Sequence, residues 1–351
     1  MSEGVIKSLQ VGIIGGTGYV GAELIRLLSN HSKVRISSIS SVSYKGKKFS
    51  DIYPNFYNLN ELICEDSEAV IEKSDVVFIA LPNGLSENIA QKILDKDRLC
   101  IDMGADFRFK DGLTYKKWYG KDFEIPDLHS QSVYGLPELN REKIRTAKLI
   151  GNPGCFATSI ELALLPLISN DIIEETGIIS DSKSGVTGRG RGLSEPSLFN
   201  NCNENLSAYK IAKHRHTPEI EETLNSISNN EVKLTFTPHL LPINRGILST
   251  IYTTPKRDVD MKKLHEEYSS FYSNEPFVNV LPLGESAKIN NVRLSNYCQI
   301  SLHYDEENGK LILISCIDNM IKGSAGQGIQ NMNIASGLDE TDGLSAVPSI
   351  F

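Results

Sequence analysis

Val11-Gly12-Ile13-Ile14-Gly15-Gly16-Thr17-Gly18-Tyr19-Val20-Gly21 reads as a buried strand running through a glycine turn into an amphipathic helix. Gly15, Gly18 and Gly21 recur at every third position. Glycines at such a turn let the backbone approach a pyrophosphate, which then rests on the N–H groups and positive dipole end of the helix. The stretch is therefore a candidate dinucleotide loop, with Gly15, Thr17, Gly18, Tyr19 and Val20 as its contact residues. A glycine-rich turn without a ligand is the plainer alternative. The setting, after a strand and before an amphipathic helix, disfavours it.

The pattern continues outward from this loop. Leu9 to Ile14, Val34 to Ile39, Asp75 to Ala80, Arg98 to Met103 and Lys148 to Gly151 read as strands, with helices at Val20 to Ser29 and Ser86 to Leu94. Apolar strands alternating with helices predict a parallel sheet covered on both faces, a Rossmann-type α/β domain. After Asn152 the texture changes. A helix from Cys155 to Leu167 precedes strand candidates at Gly177 to Ser182, Val232 to Thr237, Leu248 to Thr253, Asn296 to His303 and Leu311 to Asp318. Alternation of Tyr297, Gln299, Ser301 and His303 with Cys298, Ile300 and Leu302 predicts a sheet with one wet face. We expect an NADP-binding domain over 1–153, an α+β catalytic and dimerisation domain with a mostly antiparallel sheet over 154–322, and a C-terminal helix over 323–351 returning to the first domain.

Bulk properties agree with an ordinary globular protein. The 351 residues are 40% hydrophobic and 23% charged, enough for two normal cores. A net charge of −8 argues against general nucleic-acid binding, which needs a cationic face. Six scattered cysteines without CxxC spacing predict free thiols, a reducing compartment and no metal. No apolar run approaches the roughly 20 residues of a membrane span. A cytoplasmic protein is expected.

Two features select the chemistry. Ile36 to Ser50 contains no acid to hold a ribose 2′-hydroxyl, but it carries Ser37, Ser38, Ser40, Ser41, Ser43, Lys45, Lys47 and Lys48. Hydroxyl and ammonium groups suit a 2′-phosphate, so NADP(H) is the expected cofactor; the bland reading is a solvated loop. The second feature is Gly151-Asn152-Pro153-Gly154-Cys155-Phe156, where Cys155 opens a helix after a strand-breaking turn. A thiol there feels the positive dipole end, which favours the thiolate, and nearby N–H groups can hold an oxyanion. Cys100 and Cys316, inside apolar runs, read instead as core. His214, His216 and His239 are candidate bases. With side chains two apart, only one of His214 and His216 is expected to face the cysteine. Arg108, Arg189, Arg191 and Arg245, several in glycine-rich loops, are candidate clamps for phosphate or carboxylate. An activated cysteine beside a nicotinamide site predicts attack on an acyl carbon, a thioester, and reduction to an aldehyde, with phosphate as the good leaving group.

These residues carry a resemblance that runs almost end to end: GGTGYVGAEL at 15–24, SYKGKKFSDIYPNF at 43–56, ALPNG at 80–84, DMGADFR at 102–108, YGLPELN at 134–140, GNPGCFAT at 151–158, DSKSGVTGRGR at 181–191, HRHTPEI at 214–220, TPHLLPINRGILST at 237–250 and KGSAGQGIQNMN at 322–333. The chain resembles the N-acetyl-γ-glutamyl-phosphate reductases of arginine biosynthesis, relatives of aspartate-semialdehyde dehydrogenase. The resemblance implies NADPH-dependent reduction of N-acetyl-γ-glutamyl phosphate to the semialdehyde, with release of phosphate. It places Cys155 on the nucleophile, His216 on the acid–base partner, and His214, Arg108, Arg189 and Arg245 around the substrate. It implies that Ser41, Ser43, Pro82, Ser184, Gly185 and Asn319 line the cofactor and that the enzyme is a homodimer or homotetramer. One departure stands out: where relatives often carry Ser-Arg, this chain reads Ser41-Val42-Ser43, with Lys45 or Lys47 left to compensate. Rival readings are a reductase of an N-blocked aminoadipyl phosphate, an aspartate-semialdehyde dehydrogenase, and a non-catalytic NADP-binding sensor.

Overall fold

The computed structural model describes residues 8–59 and 61–350, which form two compact units. One runs to Tyr115 and adds Lys121–Pro153 and Ser324–Ser345; the other takes Lys116–Gly120, Gly154–Gly323 and the chain from Ala346. Among the described residues no helix is long and apolar enough to cross a membrane.

The first unit holds β1 (Leu9–Ile14), β2 (Val34–Ser40), β3 (Cys64–Glu65), β4 (Val76–Ile79), β5 (Leu99–Asp102), β6 (Val133–Tyr134) and β7 (Leu149–Gly151). They pair in the order β3-β2-β1-β4-β5-β7-β6, parallel throughout. The order reverses at β1/β4, the switch point where open α/β sheets bind ligands. Every residue of β4 and β5 is buried, as helices on both faces require. Ile14, Val77, Ile79, Cys100 and Phe107 form part of one core, each large apolar side chain stabilising by roughly 1.5–3 kcal/mol.

Two glycines shape the turn after β1. Gly15 has φ +86°, and a Cβ there would fall 2.4 Å from the Ala80 carbonyl oxygen. A Cβ on Gly21 would meet the Gly15 carbonyl oxygen at 2.5 Å, so helix Tyr19–Leu28 lies directly on the turn.

The C-terminal helix is shorter than the sequence predicts. It spans Gly326–Ala335, behind a π-turn at Ile321–Ala325, and the chain beyond is turn and irregular segment. Gly337, at φ +68°, stops it. Leu338 N–H bonds to Asn333 O (2.8 Å) and Gly337 N–H to Ile334 O (3.2 Å), the pattern of a Schellman cap. Within its unit this helix is buried with its amide nitrogens partnered: Gln327 Nε2 and Asn331 Nδ2 both donate to Gly135 O, at 2.9 and 2.8 Å.

The second unit holds β8 (Ile178–Ser184), β9 (Ser207–Ala208), β10 (Leu234–Leu240), β11 (Ile247–Thr253), β12 (Val278–Val280), β13 (Cys298–Asp305) and β14 (Lys310–Ile317), in the order β12-β13-β14-β11-β8-β10-β9. Four junctions are antiparallel; β12/β13 and β8/β10 are parallel, so the sheet is mixed. β10 continues through Pro238, three residues beyond the expected end, with the proline carbonyl accepting Tyr209 N–H at 3.0 Å. The wet face is only partly wet. Ala287, Val292 and Cys316 form a small core with Leu248, Ile289 and Ile314, and Ser301 is buried, its Oγ accepting Ala287 N–H.

Helix Cys155–Ser169 lies on the other face, with Phe156 through Ile168 all buried. The sheet meets it with small hydroxyls. Ser182 and Ser315 flank Ser249 in register, and Ser159 Oγ of the helix lies 3.0 Å from Ser249 Oγ and 3.1 Å from Ser315 Oγ. Ser182 Oγ donates to Ser249 Oγ at 2.9 Å.

Candidate active site

Cys155 is the first residue of its helix. The preceding Gly154 is extended (φ −70°, ψ 148°) and has no side chain with which to cap the helix, and the first turn carries no acid. The dipole end beside Cys155 therefore favours negative charge. Gly154 N–H is held by Glu219 Oε1 at 2.6 Å. Glu219 is buried and sits one turn after His216 in helix His216–Asn225, so one helix face carries both.

The imidazole of His216 lies against Gly154: a Cβ there would fall 2.4 Å from His216 Nε2. His214 packs edge-on to it, ring centres 4.6 Å apart, and accepts His216 N–H at Nδ1 (3.1 Å). Phe156, Phe236 and Tyr209 enclose His214 at 5.6, 5.2 and 5.8 Å. Burial, reinforced by the neighbouring His216, pushes its pKa down to about 2. His214 is thus a neutral acceptor at working pH. Burial, and then the charge of Cys155, hold the Tyr209 hydroxyl above its ordinary range. Arg189 covers the Tyr209 ring at 4.9 Å. The Cys155 helix, the two histidines, Tyr209, Arg189 and Glu219 thus form one packed group in the second unit. From the other side, a Cβ on Gly323 in the π-turn would come within 2.8 Å of Cys155 Cβ; π-turns recur at functional sites.

His239 is turned away from this group. Phe236 packs on Phe156 of the Cys155 helix, and side chains alternate along β10, so His239 points to the opposite face. There its Nδ1 lies 3.3 Å from Asp181. Arg245 reaches the buried Asp318, Nη1 to Oδ1 3.5 Å. Asn319 braces two loops, accepting Gly246 N–H (2.7 Å) and donating to Thr187 Oγ1 (3.0 Å). Ser184 is buried, and Gly185 lies so close to Asn244 that a Cβ would meet its carbonyl oxygen at 2.5 Å.

In the first unit, Arg108 is tied to backbone: Nε donates to Asn152 O at 2.8 Å and Nη2 to Met103 O at 3.3 Å. The glycine turn fits a pyrophosphate. Gly18 ends it without a side-chain cap, a Cβ on Gly18 would meet only Gly15 O at 3.6 Å, and the N–H groups that follow belong to a helix with no acid in its first turn. Thr17 Oγ1 and Ser41 Oγ are 2.8 Å apart and buried. Tyr19 is 38% exposed, open to a ligand. Ser43 is exposed, Val42 is 97% exposed, and Pro82 is exposed in the turn after β4. The loop also has acids that a linear reading misses, because they come from β3 and its flank. Asp66 pairs with Lys45 at 3.1 Å, and Glu65 bonds Ser38. Lys47 lies over the Tyr44 ring at 5.7 Å.

Sequence reasoning passed over Glu219, Tyr209 and Gly323. The first could have been found from its i+3 spacing to His216; the other two leave no local signal.

Comparison with known proteins identifies the family. Residues 10–147 match the family model "Semialdehyde dehydrogenase, NAD binding domain", and residues 155–319 match "Semialdehyde dehydrogenase, dimerisation domain". N-acetyl-gamma-glutamyl-phosphate reductase of Clostridium kluyveri is 66% identical over 98% of this chain and 100% of its own. The Brachyspira hyodysenteriae protein of the same name is 50% identical over 98% and 100%. Among solved structures, aspartate semialdehyde dehydrogenase II of Vibrio cholerae shares the fold at TM-score 0.71 and 15% identity, covering 94% of this chain and 98% of that one. Aspartate semialdehyde dehydrogenase of Candida albicans, solved with NADP, superposes at TM-score 0.67 and 17% identity, covering 94% and 98%. The chain, an oxidoreductase with an NAD(P)-binding domain, belongs to the N-acetyl-γ-glutamyl-phosphate reductase family.

Proposed function

We propose that this chain reduces N-acetyl-γ-glutamyl phosphate to the semialdehyde in arginine biosynthesis, with Cys155 as nucleophile, His216 as acid–base and NADPH as hydride donor. The observation that carries this is Cys155 at the first position of its helix with the His216 imidazole packed on Gly154. Cys155 attacks the acyl carbon; a C–S bond forms, the C–O bond to phosphate breaks, and a thioester remains. The nicotinamide, when bound, supplies hydride to that carbon. N–H groups of the first helical turn steady the oxyanion. Collapse releases the aldehyde and returns the thiolate, with His216 taking and giving the proton. His214, held neutral, orients His216 through the bond to its backbone N–H. Arg108, Arg189 and Arg245 hold the anionic substrate.

Gly15, Thr17, Gly18, Tyr19, Val20, Ser41, Ser43, Pro82, Ser184, Gly185 and Asn319 serve the cofactor. The Thr17–Ser41 hydroxyl pair and Lys47 support NADP over NAD. A homo-oligomer formed through the second domain suits the half-exposed sheet face carrying Ile179 and Tyr252. A cytoplasmic setting keeps Cys155 reduced. Cys155→Ser tests the reading: NADPH oxidation with acyl phosphate should vanish, and so should the thioester seen by mass spectrometry after mixing wild type with acyl phosphate alone. Unchanged turnover overturns it.

A further inference from the structure

We propose that Asp106 is a positioning residue that fixes the 82–86 turn against the cofactor crevice, an assignment that rests on the reductase reading above. Asp106 is fully buried in the first unit. Its Oδ1 and Oδ2 lie 2.7 and 2.8 Å from Gly84 N, and Oδ2 also accepts Leu85 N–H (3.1 Å) and Ser86 N–H (3.0 Å). Tyr115 donates its hydroxyl to Oδ1 at 2.9 Å. Three successive N–H groups thus converge on one carboxylate, a nest of the kind that elsewhere grips an anionic ligand. Here the anion is internal.

The placement of the turn gives this a purpose. It follows β4 at the switch point, two residues after Ala80, whose carbonyl lies against Gly15 of the phosphate loop. The turn has little apolar anchoring: Leu85 is 53% exposed and Gly84 sits at φ +83°. Besides Asp106, Asn83 Oδ1 accepts Ala105 N–H at 3.1 Å. Ser86 stands at the N-cap of helix Glu87–Asp95 with its hydroxyl turned to Asp102 Oδ1 (2.8 Å) and its own N–H held by Asp106, so the carboxylate fixes the residue from which the helix starts. Asp106 therefore shapes both the turn and the start of the helix behind it without touching substrate.

The test is NADPH affinity by fluorescence titration, beside iodoacetamide alkylation of Cys155 by mass spectrometry. Asp106→Asn replaces one acceptor oxygen with a donor facing N–H groups. We expect its NADPH Kd to rise about 10-fold or more, with Cys155 alkylated at the wild-type rate. An unchanged Kd in folded protein overturns the proposal. If Asp106→Asn fails to fold, Tyr115→Phe removes one bond to the same carboxylate and should raise Kd about 2- to 5-fold; an unchanged Kd there overturns it equally. Failure of the reductase reading looks different: wild type itself would show no NADPH binding or no Cys155 thioester.

Discussion

His214→Asn should flatten the acid side of the stability profile. His214 is enclosed by Phe156, Tyr209 and Phe236, and its pKa falls to about 2, against about 6.5 in the unfolded chain. The native state therefore refuses a proton that the unfolded state accepts. For a base lowered in this way, its contribution is whole above pH 6.5 and is lost progressively as pH falls towards 2. At pH 5 the gap is about 1.5 pH units, worth about 2 kcal/mol at roughly 1.4 kcal/mol per unit. The bond from His216 N–H to His214 Nδ1 gives a second reason, since a protonated Nδ1 accepts nothing. Urea unfolding followed by circular dichroism at pH 7.5 and 5.0 measures this. Wild type should lose about 2 kcal/mol more than the variant over that interval, whatever the variant costs at neutral pH. Parallel pH slopes would refute the reasoning.

Three further outcomes follow from the geometry. Gly154→Ala places a methyl 2.4 Å from His216 Nε2 and should cut kcat/KM about 100-fold, while the melting temperature shifts by only a few degrees. Gly323→Ala, with its Cβ 2.8 Å from that of Cys155, should slow iodoacetamide labelling of Cys155 relative to wild type, read by mass spectrometry. Asp102 is fully buried, and burial followed by the charge of Asp106 raises its pKa to about 6. Its protonated form suits the fold, so its contribution is full below about pH 4 and lost as pH rises through 6. Asp102→Asn should therefore gain on the order of 2 kcal/mol over wild type at pH 7 and nothing at pH 4, by the same urea assay.

The central strands of the first sheet are visible in sequence because parallel strands buried on both faces must be apolar runs, as Val76–Ile79 is. The glycine turn is visible because Gly15 and Gly21 answer to backbone approach, which no other residue allows. Strand direction in the second sheet is not: β8 and β10 carry alternation that suits either pairing, and their parallel contact depends on the chain between them. Cys155 announces itself through Pro153 and Gly154, whereas its surroundings do not. Asp106 and Glu219 look like surface acids until the fold brings Gly84–Ser86 and Gly154 to them. Lys45 looks like a free cation until β3 delivers Asp66 beside it.

The serine row beneath the Cys155 helix acts as a detent. An all-apolar interface is indifferent to small slides, because one methyl substitutes for another. Ser159 is different: its hydroxyl sits between Ser249 and Ser315, within 3.1 Å of both. Sliding the helix along its axis by one residue, about 1.5 Å, would strand these hydroxyls in a dry core at about 1–3 kcal/mol for each one left bare. The helix that begins at Cys155 is therefore indexed to the sheet from one turn below, and this fixes the longitudinal position of its first residue.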